Sequence, residues 1–232
     1  MKAGVHIFDD GDMLARAAAE HVLEAGRQSF AARGVFRLGL SGGRTPEHLY
    51  ALLAKPPFRE RLIAAGPIVL FADERAVAPD HPDSNYAMAR AALLAPAGIR
   101  AASVQRMRGE AESLDDAARE YEALLAEPID LLILGIGADG HTASIFPSSA
   151  AAHEKVRRVL PVVDSPKPPP RRLTITPRVI SEARSVAVIA TGTGKAGAVA
   201  RAFDEATDPV ELPARLLRDC TWFLDADAAE LL

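Results

Sequence analysis

The stretch Asp130-Leu131-Leu132-Ile133-Leu134-Gly135-Ile136-Gly137-Ala138-Asp139-Gly140-His141-Thr142-Ala143-Ser144-Ile145-Phe146-Pro147 decides how the chain is read. Its first part is an unbroken apolar run, the pattern of a strand covered on both faces in a parallel sheet. The run ends in glycines, and the turn beyond presents a carboxylate, Asp139, two residues from an imidazole, His141. In open α/β sheets ligands bind outside the carboxyl ends of strands, where this turn is expected to lie. Gly135, Gly137 and Gly140 also spell G-x-G-x-x-G, the dinucleotide fingerprint. Three features oppose that reading. Four expected strands precede the pattern, His141, Phe146 and Pro147 interrupt the helix that should follow, and no strand leads clearly to Glu154 as a ribose partner.

Working outward, strand and helix signals alternate. Strands are predicted at Val5–Phe8, Phe36–Leu40, Pro67–Ala72, Ile129–Leu134, Val186–Ala190 and Thr221–Leu224. Helices are predicted at Asp12–Ala32, Ser84–Leu94, Ser113–Ala126 and Lys195–Ala206. A further helix opens at Thr45-Pro46-Glu47, with Thr45 as N-cap and Pro46 at the first helical position. The helix from Ser113 is the clearest amphipathic one, and Ser113 with Asp116 makes a capping box. This alternation predicts an α/β, Rossmann-like layered fold with a mainly parallel central sheet flanked by helices. The proline-rich stretch Pro161–Pro170 is the one conspicuous break, read as a stiff surface loop that delivers Arg171 and Arg172. Residues 1–232 are taken as a single domain.

Bulk properties narrow the function. The chain has 232 residues, 49% hydrophobic, with a net charge of -4, so no basic field invites nucleic acid. Cys220 is the only cysteine, which excludes an intramolecular disulfide and a multi-cysteine metal site; it reads as a small semi-buried residue. No apolar run is long enough for a transmembrane helix, and the N-terminus, with Asp9, Asp10 and Asp12, lacks a signal-peptide pattern. A cytoplasmic protein is the expectation. Trp222 is expected in the core, and His48 on a helix surface. His6, His21, His81 and His153 have no metal-like spacing.

Four strand-end loops carry the chemistry. Ser41-Gly42-Gly43-Arg44 can bring backbone N–H groups, a helix N-terminus and a guanidinium to an anion. Asp73-Glu74-Arg75 follows another apolar strand, and Asp139-Gly140-His141 is the turn described above. Thr191-Gly192-Thr193-Gly194-Lys195 places a lysine near a helix N-terminus, unfavourable for the helix dipole unless an anion sits there. Each loop alone is equally a solvated turn, and neither glycine loop is a Walker A motif. Strand ends of a parallel sheet share one edge, so Arg44, Arg75, His141 and Lys195 are expected to meet. Cations with glycine-rich turns suit a small phosphorylated substrate, and Asp73, Asp139 and His141 supply acid–base groups.

In order, Ser41 through Pro46, Asp73-Glu74-Arg75 with Ser84-Asn85, Gly135 through Pro147, Pro169 through Thr174, and Gly194-Lys195 together resemble the 6-phosphogluconolactonase family, over nearly the whole chain. The resemblance implies hydrolysis of 6-phospho-D-glucono-1,5-lactone to 6-phosphogluconate in the oxidative pentose phosphate pathway. It implies no metal, no organic cofactor, and a small sugar-phosphate lactone as partner; no nucleic acid, membrane or obligate protein partner is expected. Carried over, His141 corresponds to the general base, an imidazole being suited by its ordinary pKa near ~6.5. Asp73 and Asp139 correspond to site carboxylates that orient His141 or sugar hydroxyls. Gly42, Gly43, Arg44, Arg172 and Lys195 correspond to the phosphate cradle. Arg75 corresponds to a group that binds sugar or phosphate, or steadies the oxyanion formed at the lactone carbonyl. The division of labour between Asp73 and Asp139, and between Arg171 and Arg172, stays open.

The nearest rival in the same larger group is glucosamine-6-phosphate deaminase. Those enzymes carry a glutamate shortly after the histidine, whereas Thr142-Ala143-Ser144-Ile145-Phe146-Pro147 contains no acid. A non-catalytic sugar-phosphate sensor is the other reading; it has little need of Asp139 and His141 together.

Overall fold

Leu131 and Ile133 pack into one apolar cluster while Leu132 and Leu134 pack into another, so the strand Leu131–Leu134 is covered on both faces. Side chains alternate across a strand, and a strand buried on both sides needs an apolar residue at every position. The computed structural model describes residues 4–232. Its strands are β1 (Val5–Phe8), β2 (Phe36–Leu40), β3 (Pro67–Phe71), β4 (Asp73–Arg75), β5 (Leu131–Leu134), β6 (Val159–Val162), β7 (Arg172–Ile175), β8 (Val186–Ala190) and β9 (Thr221–Asp225). Six of them form a wholly parallel sheet in the order β1-β9-β8-β5-β2-β3. From β2 the chain steps outward to β3, and later returns to the other side of β2 as β5. The gap between β2 and β5 is therefore the topological switch point, the place where such sheets bind ligands.

One face is covered by the helices Gly11–Arg33, Arg44–Leu53 and Phe58–Ala64. The first of these is capped by Asp10, whose side chain accepts from Met13 N–H, and is closed by the left-handed Gly34. The other face is covered by the helices Leu114–Leu124 and Ala196–Phe203 and by β7. Ser113 caps the former, its hydroxyl accepting from Asp116 N–H at 3.2 Å. Trp222 is fully buried, and its indole N–H donates to the Leu217 carbonyl at 2.8 Å. No helix among the described residues is long and apolar enough to cross a membrane.

A second sheet, β4-β7-β6, is antiparallel and was not expected. Asp73-Glu74-Arg75 is thus a strand, paired with β7, rather than a loop. The start of the Pro161–Pro170 stretch is also a strand, since Pro161 and Val162 belong to β6. Three helix starts and ends differ from expectation. Arg44, not Pro46, begins its helix, with Gly43 as N-cap; the Thr45 hydroxyl lies 2.7 Å from that of Thr191. Pro46 is tolerated at the third position because first-turn N–H groups have no intrahelical partner. The helix expected over 84–94 is α-helical only at Asn85–Ala89 and passes into a π-helical turn at Arg90–Leu94. The helix expected over 195–206 runs Ala196–Phe203 after a 3-10 turn at Thr193–Lys195.

Candidate active site

The turn after β5 brings Asp139 and His141 together. Asp139 Oδ1 lies 2.5 Å from His141 Nδ1. The two side chains press against bare backbone, since a Cβ on Gly137 would come within 2.1 Å of Nδ1 and 2.2 Å of Oδ1. The turn is closed by Gly137 N–H donating to the His141 carbonyl and Gly140 N–H to that of Gly137. A helix does not start here: an isolated bridge joins Thr142 to Ile145. The glycine pattern therefore builds a tight turn, not a dinucleotide cradle. Burial pushes the Asp139 carboxyl up, but the hydrogen bond and charge of His141, with Lys167 beside it, win and hold it well below the usual carboxylate range. Nδ1 is occupied, and no described hydrogen bond engages Nε2. Phe146 packs on the imidazole with ring centroids 4.8 Å apart.

Asp73, the buried carboxylate of β4, sits across the cavity. Its Oδ1 accepts from Asn85 Nδ2 at 2.9 Å, and its Oδ2 accepts from the Ser144 hydroxyl at 2.6 Å. Asn85 is placed in turn by Glu74, whose oxygens accept from the backbone N–H groups of Asn85, Tyr86 and Arg75 and from the Ser84 hydroxyl. Burial raises the Glu74 pKa, and those donors oppose the rise. Arg75 donates to the Asp83 carbonyl at 2.7 Å, while its buried Nε has no partner among the described residues.

The glycine loop after β2 is shaped by close approach. A Cβ on Gly42 would lie 1.9 Å from Asn85 Oδ1, so glycine lets this loop touch the side chain that holds Asp73. Gly43, at φ 114°, adopts a conformation that only glycine takes without strain. Tyr50 braces the loop: its hydroxyl accepts from Ser41 N–H at 3.0 Å and donates to the Ser41 carbonyl at 2.9 Å. Facing it, the turn after β8 ends in Lys195. Burial, and the nearby charges of Lys167 and Arg44, push its pKa down, partly opposed by Asp139.

His141, Asp73, Gly42, Gly43, Arg44, Arg75, Arg172 and Lys195 all line one cavity of about 570 Å³, and Asp139 is joined to it through His141. Arg172 is the one whose position changes its meaning. Its guanidinium is buried and donates to the carbonyls of Lys167, Pro168 and Pro169 and, at 3.3 Å, to the Ser144 hydroxyl. Burial lowers its pKa. Arg172 thus fastens the proline-rich loop to the site wall as well as lining it. His48, expected at the surface, is half-exposed but reaches the cavity wall and lies 2.9 Å from Asp12. Sequence alone assigns Ser144 and Lys167 no role, and Asn85 enters only as part of the segment that accompanies Asp73-Glu74-Arg75. Ser144 and Asn85 are polar residues buried by long-range contacts, and Lys167 sits in a loop whose path only the fold reveals. Cys220 lies outside the site, and burial pushes its thiol up to about 11, so it is a weak nucleophile.

A parallel α/β sheet with a carboxylate–imidazole pair and a cationic glycine loop at its switch point has the architecture of the sugar-phosphate isomerase and lactonase class. The match of residues 9–223 to the family described as glucosamine-6-phosphate isomerases/6-phosphogluconolactonase shows that the chain belongs to it. Human 6-phosphogluconolactonase is 38% identical over 98% of this chain and 93% of its own length. A rice (Oryza sativa) protein named probable 6-phosphogluconolactonase 3, chloroplastic, is 34% identical over 97% of this chain and 75% of its own. Among solved structures, 6-phosphogluconolactonase from Trypanosoma brucei superposes with a TM-score of 0.87 at 31% identity, covering 100% of this chain and 99% of that one.

Proposed function

We propose that this protein hydrolyses 6-phospho-D-glucono-1,5-lactone to 6-phospho-D-gluconate, with the whole chain acting as one domain. The observation that carries this reading is the His141–Asp139 pair, which commits Nδ1 and leaves Nε2 as the proton acceptor at a cavity rimmed by cations. Nε2 takes a proton from water as the water oxygen bonds to the lactone carbonyl carbon. Negative charge moves to the carbonyl oxygen, and Arg75 is the cation nearest in role to steady it. Collapse of that intermediate breaks the bond to the ring oxygen, which receives the proton back from the imidazolium. Asp139 stays ionised throughout and stabilises the imidazolium.

Asp73 has both oxygens engaged, so we assign it to orienting sugar hydroxyls and the site wall rather than to accepting a proton. Gly42, Gly43, Arg44 and Lys195 form the phosphate cradle, with Arg172 in the cavity wall beside them. The segment Thr142–Pro147, which contains no acid, turns Ser144 toward Asp73; a deaminase would need a further carboxylate for its proton transfers. A cytoplasmic setting suits this reading, as does a lone, non-disulfide cysteine.

The test is hydrolysis of freshly made 6-phosphogluconolactone, coupled to 6-phosphogluconate dehydrogenase and corrected for spontaneous opening. Hydrolysis that needs the phosphate and is lost in His141→Ala is expected. A rate no faster than spontaneous opening, or ammonia release from glucosamine 6-phosphate, would overturn the reading.

A further inference from the structure

Asp139 has two partners, one for each oxygen. Oδ1 serves His141 at 2.5 Å, and Oδ2 lies 3.2 Å from Lys167 Nζ. Lys167 comes from the proline-rich loop, not from the turn that carries the pair. Its backbone is fixed on several sides: its N–H donates to the Ser165 hydroxyl, and its carbonyl accepts from that hydroxyl at 2.8 Å and from Arg172 Nη2 at 2.9 Å. Ser165 N–H in turn donates to the Pro170 carbonyl at 2.9 Å. A flexible side chain on a fixed backbone is thereby aimed at one carboxylate oxygen. Lys167 also lines the cavity and lies near enough to Lys195 for their charges to interact.

A carboxylate held only by His141 could rotate about its own bond and trade oxygens. Held at both, it keeps one oxygen on Nδ1, which fixes the ring's tautomer and orientation. The second effect is electrostatic. A lone carboxylate beside an imidazole stabilises the imidazolium and keeps a base protonated; a cation on its far oxygen offsets part of that charge. We propose that Lys167 is a positioning residue of the acid–base pair, locking Asp139 against His141 and tempering its charge. The proposal rests on His141 being the base.

Other charged and titratable groups surround the imidazole. Asp139 touches it, the Arg172 guanidinium lies 5.5 Å from the centroid of the Phe146 ring that packs on it, and Arg44, His48, Asp73, Arg75 and Lys195 line the same cavity. The Lys167 side chain is 43% exposed, so its replacement leaves no hole in the core.

The experiment titrates His141 by NMR in the full-length, nitrogen-15 histidine-labelled protein, with the signal assigned by its loss in His141→Gln. Lys167→Met, with Lys167→Gln as a second neutral variant, is expected to raise the His141 midpoint by roughly half a pH unit, the Coulomb effect of one charge a few ångströms away in a half-solvated site. The acid limb of kcat/KM should move the same way, and Lys167→Arg should restore both. A folded Lys167→Met with an unmoved midpoint, even with a lowered Tm, would mean an ordinary surface ion pair and overturn the proposal; so would failure of Lys167→Arg to restore the midpoint. A shifted midpoint in a protein that hydrolyses no lactone would sink the lactonase reading and leave the coupling of Lys167 to His141 standing.

Discussion

The Ser144 hydroxyl donates to Asp73 Oδ2 at 2.6 Å, although the two residues lie 71 positions apart. This contact ties the turn after β5 to the second sheet, and both side chains are buried. Ser144→Ala leaves a buried carboxylate oxygen short of its donor, a loss of about 1–3 kcal/mol. Thermal unfolding should show a Tm lowered by roughly 2–12 °C. An unchanged Tm would mean that the contact contributes nothing to stability.

The acid–base pair makes a paired prediction. His141→Ala should lower kcat by roughly 10²–10⁴ with KM little changed, because substrate binding does not need the base. Asp139→Asn should keep the fold but impair turnover on a similar scale, since an amide can hold the ring in the wrong tautomer. Steady-state kinetics on the coupled assay read both; a large KM effect in His141→Ala would move that residue from chemistry to binding.

Gly42 tests the close approach to Asn85. Gly42→Ala puts a methyl where Asn85 Oδ1 sits and must displace the side chain that holds Asp73. Overpacking of this kind costs about 1–3 kcal/mol. Chemical denaturation should show that loss together with reduced kcat/KM, whereas Gly194→Ala, with open space around its Cβ, should leave stability nearly unchanged.

Lys195 gives the site an alkaline limit. Its pKa is lowered by burial and by the charges of Lys167 and Arg44, so as pH rises it loses its proton earlier than an ordinary lysine. An anion bound beside it favours the charged form, so 6-phosphogluconate should bind most tightly below that pKa and weaken as pH climbs through it. Calorimetric titrations between neutral and strongly alkaline pH would show the limb, and Lys195→Arg should remove it because a guanidinium stays charged. Lys195→Met should weaken binding roughly 10–100-fold at neutral pH, the worth of one charge-assisted hydrogen bond.

What the sequence made legible follows from period and chemistry. The run Leu131–Leu134 is apolar at every position because both of its faces are covered, and that signal is local. The glycine loops announced themselves because glycine at a strand end has few other uses. The second sheet was not legible, since Asp73-Glu74-Arg75 looks like any solvated segment until pairing with β7 buries it. Thr45 misled for a similar reason: an N-cap preference is local, but its hydroxyl meets Thr191, a partner 146 positions away. Asn85, Ser144 and Lys167 gain their place only from contacts across the fold, and no periodicity reports those.

The switch point between β2 and β5 also bears on how the chain must be made. Its walls come from Gly42 and Arg44 early in the chain, His141 past its middle and Lys195 near its end. Neither half of a chain divided in the connection between the helix Leu114–Leu124 and β5 contains both glycine loops, and the first half lacks His141. Turnover is therefore a signal of native assembly, and two separately produced halves would be dark until β5 takes its place beside β2.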